Sequence, residues 1–320
     1  MRVLTIKKEK RFAECIRRTA GESSRRFRER ESLMNPCQII TDFGCDLPCD
    51  NAKDHHIEII PMEVIIEGEN PQWGYEVDVS QFYQKLKNKK TAKTSAVSID
   101  TFVNTFEKHL ESGNDVVYIA LSSGLSGTYS AACVAAGELA PRFPNQKIYI
   151  VDSRSASLGE GLIAYLASLK WQEGACAEEI FSYADDMTSR LCSWFTVDDL
   201  FFLKRGGRLS AATAVVGSLL MIKPVLHASR EGKLVPYGKA RGRKGAIDEL
   251  VNAVERIAIN PSEQIISISH SDCLEDALSL EAKIRAKWDV KDILIAEIGP
   301  VVGAHCGPGT LAVFFSGSDE

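Results

Sequence analysis

Asp115-Val116-Val117-Tyr118-Ile119-Ala120-Leu121-Ser122-Ser123-Gly124-Leu125-Ser126-Gly127-Thr128-Tyr129-Ser130-Ala131-Ala132 is the stretch that decides the fold. A run rich in Val, Ile and Tyr reads as a buried strand. It breaks in small hydroxyl and glycine residues, and an alanine-rich helical pattern follows. Strand, tight turn and helix start in that order make an anion site. Amides without intrahelical partners, the positive end of the helix and several hydroxyls all converge on the turn. The turn lacks the lysine of a P-loop and the glycine spacing of a dinucleotide fingerprint. It therefore points to a small anion such as a carboxylate rather than to a nucleotide.

Outward from this turn the same alternation repeats. Residues 37–41 read as a strand ending in Asp42, and 57–66 as an extended stretch broken at Pro61. Helical periodicity covers 80–87 and 99–111, with Ser98 placed to cap the second. A strand over 147–151 ends in Asp152-Ser153, and helices follow over 158–172 and 178–190. Strands alternating with helices predict a parallel sheet covered on both faces, with ligands at the carboxyl ends of its strands. Asp42, Ser122–Thr128 and Ser153 all fall at such ends. Beyond residue 190 the pattern changes to strands near 193–197, 233–238, 264–269, 292–298 and 310–315, with helices at 245–257 and 274–288. The expected architecture is α/β: a leader over 1–36, an N-terminal parallel-sheet α/β domain over 37–190, and a C-terminal α+β domain over 191–320.

Composition bounds the function classes. The 320 residues are 45% hydrophobic and 25% charged, ordinary for a globular chain. The formal net charge of −5 hides an uneven distribution. Residues 1–33 carry eleven Lys/Arg against five Glu, so the remainder holds 27 basic and 38 acidic residues, a balance of −11. That balance argues against nucleic-acid binding by the body of the protein. The basic leader reads as sequence upstream of a start at Met34, because strand patterning begins only after it. No segment resembles a signal peptide or a membrane span, and nine cysteines without framework spacing predict a reduced, cytoplasmic protein.

Four further constellations carry chemistry. In Thr94-Ser95-Ala96-Val97-Ser98 the spacing favours helix capping, although Thr94 lies upstream of the cap, where it is free to meet a ligand. Gly303-Ala304-His305-Cys306-Gly307-Pro308-Gly309 reads as a tight loop presenting His305 for anion contact or proton transfer. A metal is not expected, since neither His305-Cys306 nor Cys45-x-x-x-Cys49 has further ligands nearby. Gly124-Leu125-Ser126-Gly127-Thr128 comes one residue short of the G-x-S-x-G hydrolase elbow. A triad of Ser126, Asp152 and His305 is thus a rival, weakened by the β-branched Thr128 where the last glycine belongs. Arg208, Lys223, Lys239, Arg241, Arg243 and Lys244 form a basic set in an acidic body, suited to an anionic ligand or an acidic partner. The apolar run 211–221 reads as core unless a long apolar ligand is present.

These pieces, in order, resemble the DegV family of bacterial fatty-acid-binding proteins. The resemblance spans 38–315. It rests on Ile40-Thr41-Asp42 with Asp46-Leu47-Pro48, Thr94-Ser95, Ser122-Ser123-Gly124-Leu125-Ser126-Gly127-Thr128 and Asp152-Ser153. It continues through Val197-Asp198-Asp199-Leu200, Leu203-Lys204-Arg205-Gly206-Gly207-Arg208, Ile222-Lys223-Pro224, Lys239-Ala240-Arg241-Gly242 and 303–309. The resemblance implies two domains enclosing a long-chain fatty acid in a tunnel between them, with no cofactor and no catalytic residue. In some members a separate dihydroxyacetone-kinase-like subunit phosphorylates the bound carboxylate. It further implies that Thr94, Ser126 and Gly127 hold the carboxylate with His305 close by, that Arg208 and Arg241 face the kinase, and that membrane contact is transient. Phe43-Gly44-Cys45, Ala96-Val97 and Cys306 depart from the family's usual Ser-Thr-Ala, Gln-Pro and Thr. The remaining alternative is a serine hydrolase acting on an acyl ester, with Ser126 as nucleophile and His305 as base.

Overall fold

The computed structural model describes residues 36–209 and 222–318. The basic leader up to residue 35 and the apolar run 211–221 lie outside the described residues. The first half runs β1 (Cys37–Asp42), α1 (Cys49–Asp54), β2 (Ile57–Ile60), β3 (Glu63–Ile66), β4 (Gln72–Trp73), α2 (Val79–Lys87) and β5 (Ala92–Thr94). It continues with α3 (Ile99–Glu111), β6 (Asp115–Ala120), α4 (Thr128–Leu139), β7 (Ile148–Asp152), α5 (Leu158–Gln172) and α6 (Ala177–Arg190). Strands β2, β1, β6 and β7 pair in that order, all parallel, as the alternation predicts. Their side chains alternate between two faces. Ile39, Val117 and Ile119 pack into one core cluster, while Ile40, Val116 and Tyr118 pack into another. Pro61 marks where the chain leaves this sheet for a small antiparallel one, β4-β3-β5. A residue without an N–H suits that change of partner.

The second half contains β8 (Leu191–Thr196), α7 (Phe201–Arg205), β9 (Ile222–Ala228), β10 (Leu234–Arg241), α8 (Gly242–Ile257) and β11 (Ile265–His270). It ends with α9 (Leu274–Lys287), β12 (Asp292–Glu297), α10 (Pro300–Cys306) and β13 (Leu311–Ser316). The strand order is β10-β9-β8-β13-β11-β12, antiparallel except between β11 and β12. The fold class is therefore a parallel α/β sheet followed by a sheet-rich α+β unit. Strand β9 has no clear signal in the sequence because Lys223, Pro224 and His227 interrupt it, and proline argues against an inner strand.

Helix α5 joins the two halves. It packs on β1 and β6 of the parallel sheet and on β11 and β13 of the mixed sheet, and ten of its positions are buried. Two glycines permit this double approach. A Cβ on Gly161 would lie 2.6 Å from the Cys45 carbonyl, and one on Gly159 would lie 2.0 Å from Ser155 Oγ and 2.6 Å from the Phe314 ring. At the rim, Ser122 Oγ donates to the Gly232 carbonyl at 2.8 Å, and Gly124 is pressed against Glu231 and Gly232. The turn that decides the fold is thus clasped by the tip of the β9–β10 hairpin.

Replacement at two helical glycines should move stability in opposite directions. Gly159→Ala overpacks the junction and should cost about 1–3 kcal/mol. Gly137→Ala in α4 meets nothing within 4 Å and should gain about 0.5–1 kcal/mol from helix propensity. Urea unfolding of the two variants beside wild type checks both signs.

Candidate functional site

A cavity of about 160 Å³ opens between the two sheets at the carboxyl ends of β6 and β7. That is roughly ten times the space that admits one water. Its walls are mainly apolar, with Met62, Leu121, Phe195, Leu203, Val301 and Phe314 contributed by both halves of the chain. Thr94, Ser126, Gly127, Arg208 and His305 line the same space, and Ser155, Ser157, Ser193 and Thr310 add further hydroxyls to its wall.

Thr94 ends β5, and Ser98 alone performs the capping, accepting from Thr101 N at 3.1 Å. Freed of that task, the Thr94 hydroxyl lies 2.8 Å from His305 Nε2. His305 does not stand on a loop, contrary to the glycine-rich pattern. It occupies the last turn of α10, whose start is set by Pro300 and whose end is set by Gly307 at φ 75°. Gly303 sits inside this helix because a side chain there would meet Tyr83 Oη at 2.6 Å. In turn, Tyr83 Oη donates to the Ile298 carbonyl at 2.6 Å, and Asp46 accepts from Gly299 N at 2.8 Å, fixing the helix start. The other ring nitrogen of His305 is buried without a partner, 2.6 Å from where a Gly206 Cβ would be.

Ser126 lies in the turn before α4. Its Oγ pairs with Thr128 Oγ1 at 2.9 Å and accepts from Thr128 N at 3.3 Å, while Thr128 Oγ1 accepts from Val97 N at 3.4 Å. These bonds tie the Thr94 segment to the Ser126 turn, so two distant stretches of sequence present hydroxyls to one space. Arg208 buttresses the arrangement through Nε to the Leu125 carbonyl at 3.0 Å and Nη1 to the Gly206 carbonyl at 2.5 Å.

Other expected residues go elsewhere. Asp152 accepts from Ser123 N at 3.0 Å, Ser123 Oγ at 2.5 Å and Arg154 N at 3.1 Å. The triad of Ser126, Asp152 and His305 is therefore not assembled. Asp42 is fully buried and turned inward, accepting from Tyr118 Oη, Leu121 N and Gly44 N. It shapes the turn rather than facing the cavity. Arg241 is exposed at the end of β10 and is not among the cavity residues. Lys223 and Arg243 are committed to Asp198, and Arg243 also to Asp276, so the basic set is partly structural. The apolar walls were invisible as a site in the sequence, since Met62, Phe195 and Phe314 carry the same alternation as ordinary core.

Burial, aided by the nearby Arg208 and Arg205 charges, lowers the His305 pKa to about 4. The imidazole is neutral at pH 7, and its Nε2 exchanges one hydrogen bond with a hydroxyl. Hydroxyls, the unpaired amides of a helix start and a neutral imidazole together suit a carboxylate or its protonated form. Asp46, half-buried at the start of α10, is pushed up to about 7 by desolvation despite its bonds to Ser157 and Gly299.

A model of the family described as uncharacterised proteins of the DegV family matches residues 36–318. A DegV domain-containing protein of Clostridium perfringens is 43% identical over 90% of this chain and 99% of its own length. Among solved structures, a DegV family protein from Thermus thermophilus, described for its fatty-acid binding, is 30% identical with a TM-score of 0.80, covering 88% of this chain and 99% of its own. DegV of Bacillus subtilis, described as a fatty acid binding protein, is 31% identical with a TM-score of 0.77, covering 89% of this chain and 100% of its own.

The neutral imidazole gives a pH signature with a definite sign. An unfolded histidine protonates near pH 6.5 and the folded His305 near 4, so this group's stabilising contribution is complete above 6.5 and is lost as pH falls toward 4. Asp46 shifts stability the opposite way between about 4 and 7, so the global profile mixes the two. Site-resolved NMR of His305 should therefore show its ring protons titrating well below pH 5, and a midpoint near 6.5 would contradict the burial argument.

Proposed function

The chain belongs to the DegV family, and from that membership together with the cavity's chemistry we propose that it binds a long-chain fatty acid. The tail lies between the two sheets, and the carboxylate meets Thr94, Ser126 and Gly127 with His305 beside them. One observation carries the reading: the Thr94–His305 hydroxyl–imidazole pair and the Ser126 hydroxyl stand together on one cavity whose walls are mainly apolar. The energetics agree. At roughly 0.8 kcal/mol per CH₂, about fifteen methylenes gain on the order of 12 kcal/mol before ordering costs. Each head-group bond adds about 0.5–3 kcal/mol net. The tail holds the ligand and the hydroxyls orient it.

We further propose that the bound acid is presented to a separate dihydroxyacetone-kinase-like subunit that forms an acyl phosphate, with this chain supplying no chemistry and no cofactor of its own. Arg208 at the cavity and Arg241 on the adjoining surface would serve the added negative charge of the phosphoryl group or the encounter with an acidic partner. The setting is cytoplasmic, with transient membrane contact for loading. Free cysteines throughout the described residues are consistent with a reducing compartment, and no helix among them is long and apolar enough to cross a membrane.

Solvent extraction of the purified protein, followed by mass spectrometry, should recover a fatty acid near one equivalent, and delipidated protein should rebind palmitate or oleate. The double variant Thr94→Ala/Ser126→Ala should keep its fold and bind the acid several-fold more weakly. Absence of lipid together with no uptake of added fatty acid would end the proposal.

With a cognate kinase, Arg241→Ala should retain fatty-acid binding while phosphorylation falls at least tenfold. Arg208→Ala should lower both, because its guanidinium also holds the Leu125 carbonyl. Equal phosphorylation by Arg241→Ala and wild type would remove Arg241 from the partner surface.

A further inference from the structure

The cavity has a second polar end. Thr310, just before β13, and Ala312 and Phe314 on it line the cavity at every second residue, and the strand register sets Ala312 opposite Phe195 and Phe314 opposite Ser193 of β8. Thr310 Oγ1 is bonded to the Cys306 carbonyl, next to His305. At about 3.4 Å per residue, Phe314 and Ser193 stand roughly 14 Å farther along the strands. There the hydroxyls of Ser155 and Ser193 pair at 2.9 Å, with the two residues only 2% and 7% exposed. A methyl terminus calls for leucine or phenylalanine at such a place, not for two hydroxyls.

The hydrogen-bond accounting at this pair is incomplete. Two hydroxyls carry two donors, and their mutual bond uses one. Among the described residues, the only other acceptor within reach of Ser155 Oγ is the Ala156 carbonyl at 3.5 Å, the outer limit of a hydrogen bond. Behind the pair, Ser193 and Ala228 also wall a second cavity of about 350 Å³, whose lining includes Arg154, Ser189, His227 and Ser229. The far end of the apolar passage is therefore thin-walled and backed by polar groups.

We infer that this end receives an oxygen, and that the protein accepts acyl chains bearing a hydroxyl at or near the end remote from the carboxylate. A ligand hydroxyl accepts the spare proton of the Ser155–Ser193 pair and returns its own to a serine oxygen. Its burial penalty is thereby cancelled in a passage that otherwise rewards only methylenes. This inference rests on the fatty-acid reading above and specifies which tail ends that site takes.

Competition binding to the purified full chain tests it with two matched pairs, palmitate with ω-hydroxypalmitate and laurate with ω-hydroxylaurate. A hydroxyl buried without a partner weakens binding about tenfold or more. Wild type should instead bind at least one hydroxy acid within about threefold of its parent. Ser193→Ala, and independently Ser155→Ala, should raise that ratio to about tenfold. Using the ratio within each variant removes any general loss of fold or affinity, and the second serine serves if the first variant is poorly made. A tenfold penalty at both lengths in wild type, or a ratio unmoved by either serine, overturns the inference alone. Failure of palmitate and laurate to bind at all overturns the fatty-acid reading and this inference with it.

Discussion

Helix α5 is squeezed between two sheets, and the cavity exists because of how closely it is held. A helix contacting one sheet can turn charged residues outward, whereas this one is buried or half-buried along its length. Gly159 and Gly161 let opposite sides of the helix approach Phe314 and Cys45 more closely than any side chain allows. The same closeness buries Glu160, whose carboxyl accepts from Thr41 Oγ1 at 2.7 Å and is pushed well up by desolvation. That desolvation favours the neutral acid over a buried charge at the junction. Just before the helix, Ser157 Oγ and Leu158 N reach Ser269 Oγ of β11 at 2.8 and 3.3 Å. The two sheets are thus held at a fixed spacing, and the passage between them keeps its width.

The polar end of the cavity works by hydrogen bonding more than by charge. His305 is kept neutral, and the Arg208 guanidinium spends two of its five N–H donors on carbonyls. Hydroxyls and amides orient a head group at modest cost in desolvation. The affinity then comes from the walls. This division is what the function proposed above requires.

Much of this was legible in the sequence because the parallel sheet follows strong local rules. Residues 158–172 and 99–111 carry the helical period, and Ser98 marks a cap by spacing alone. His305 shows where local rules fail. Three glycines and a proline read as a loop, yet Gly303 is a glycine because Tyr83 crowds it, a tertiary cause with no sequence signature. The strand over 222–228 was hidden by Pro224 for a similar reason, since the lack of an N–H at that position is tolerated only in the folded register. Thr94 could be read as a cap or a ligand contact, and only the approach of α10 separates the two roles. The apolar walls carried no signal, because a residue facing a cavity and one facing core obey the same alternation.

The order of synthesis gives the position of β13 another meaning. This strand, at 311–316, lies in the middle of its sheet with β8 on one side and β11 on the other. A chain emerging from the ribosome can close the parallel sheet early, from strands that are neighbours in space and near one another in sequence. The mixed sheet stays in two unjoined pieces until its final strand arrives, and one flank of α5 stays uncovered with it. The nascent protein therefore carries an exposed apolar helix face and open strand edges from the synthesis of α5 until β13 is complete. A chain lacking β13 would keep those edges open, and open strand edges are the template for aggregation.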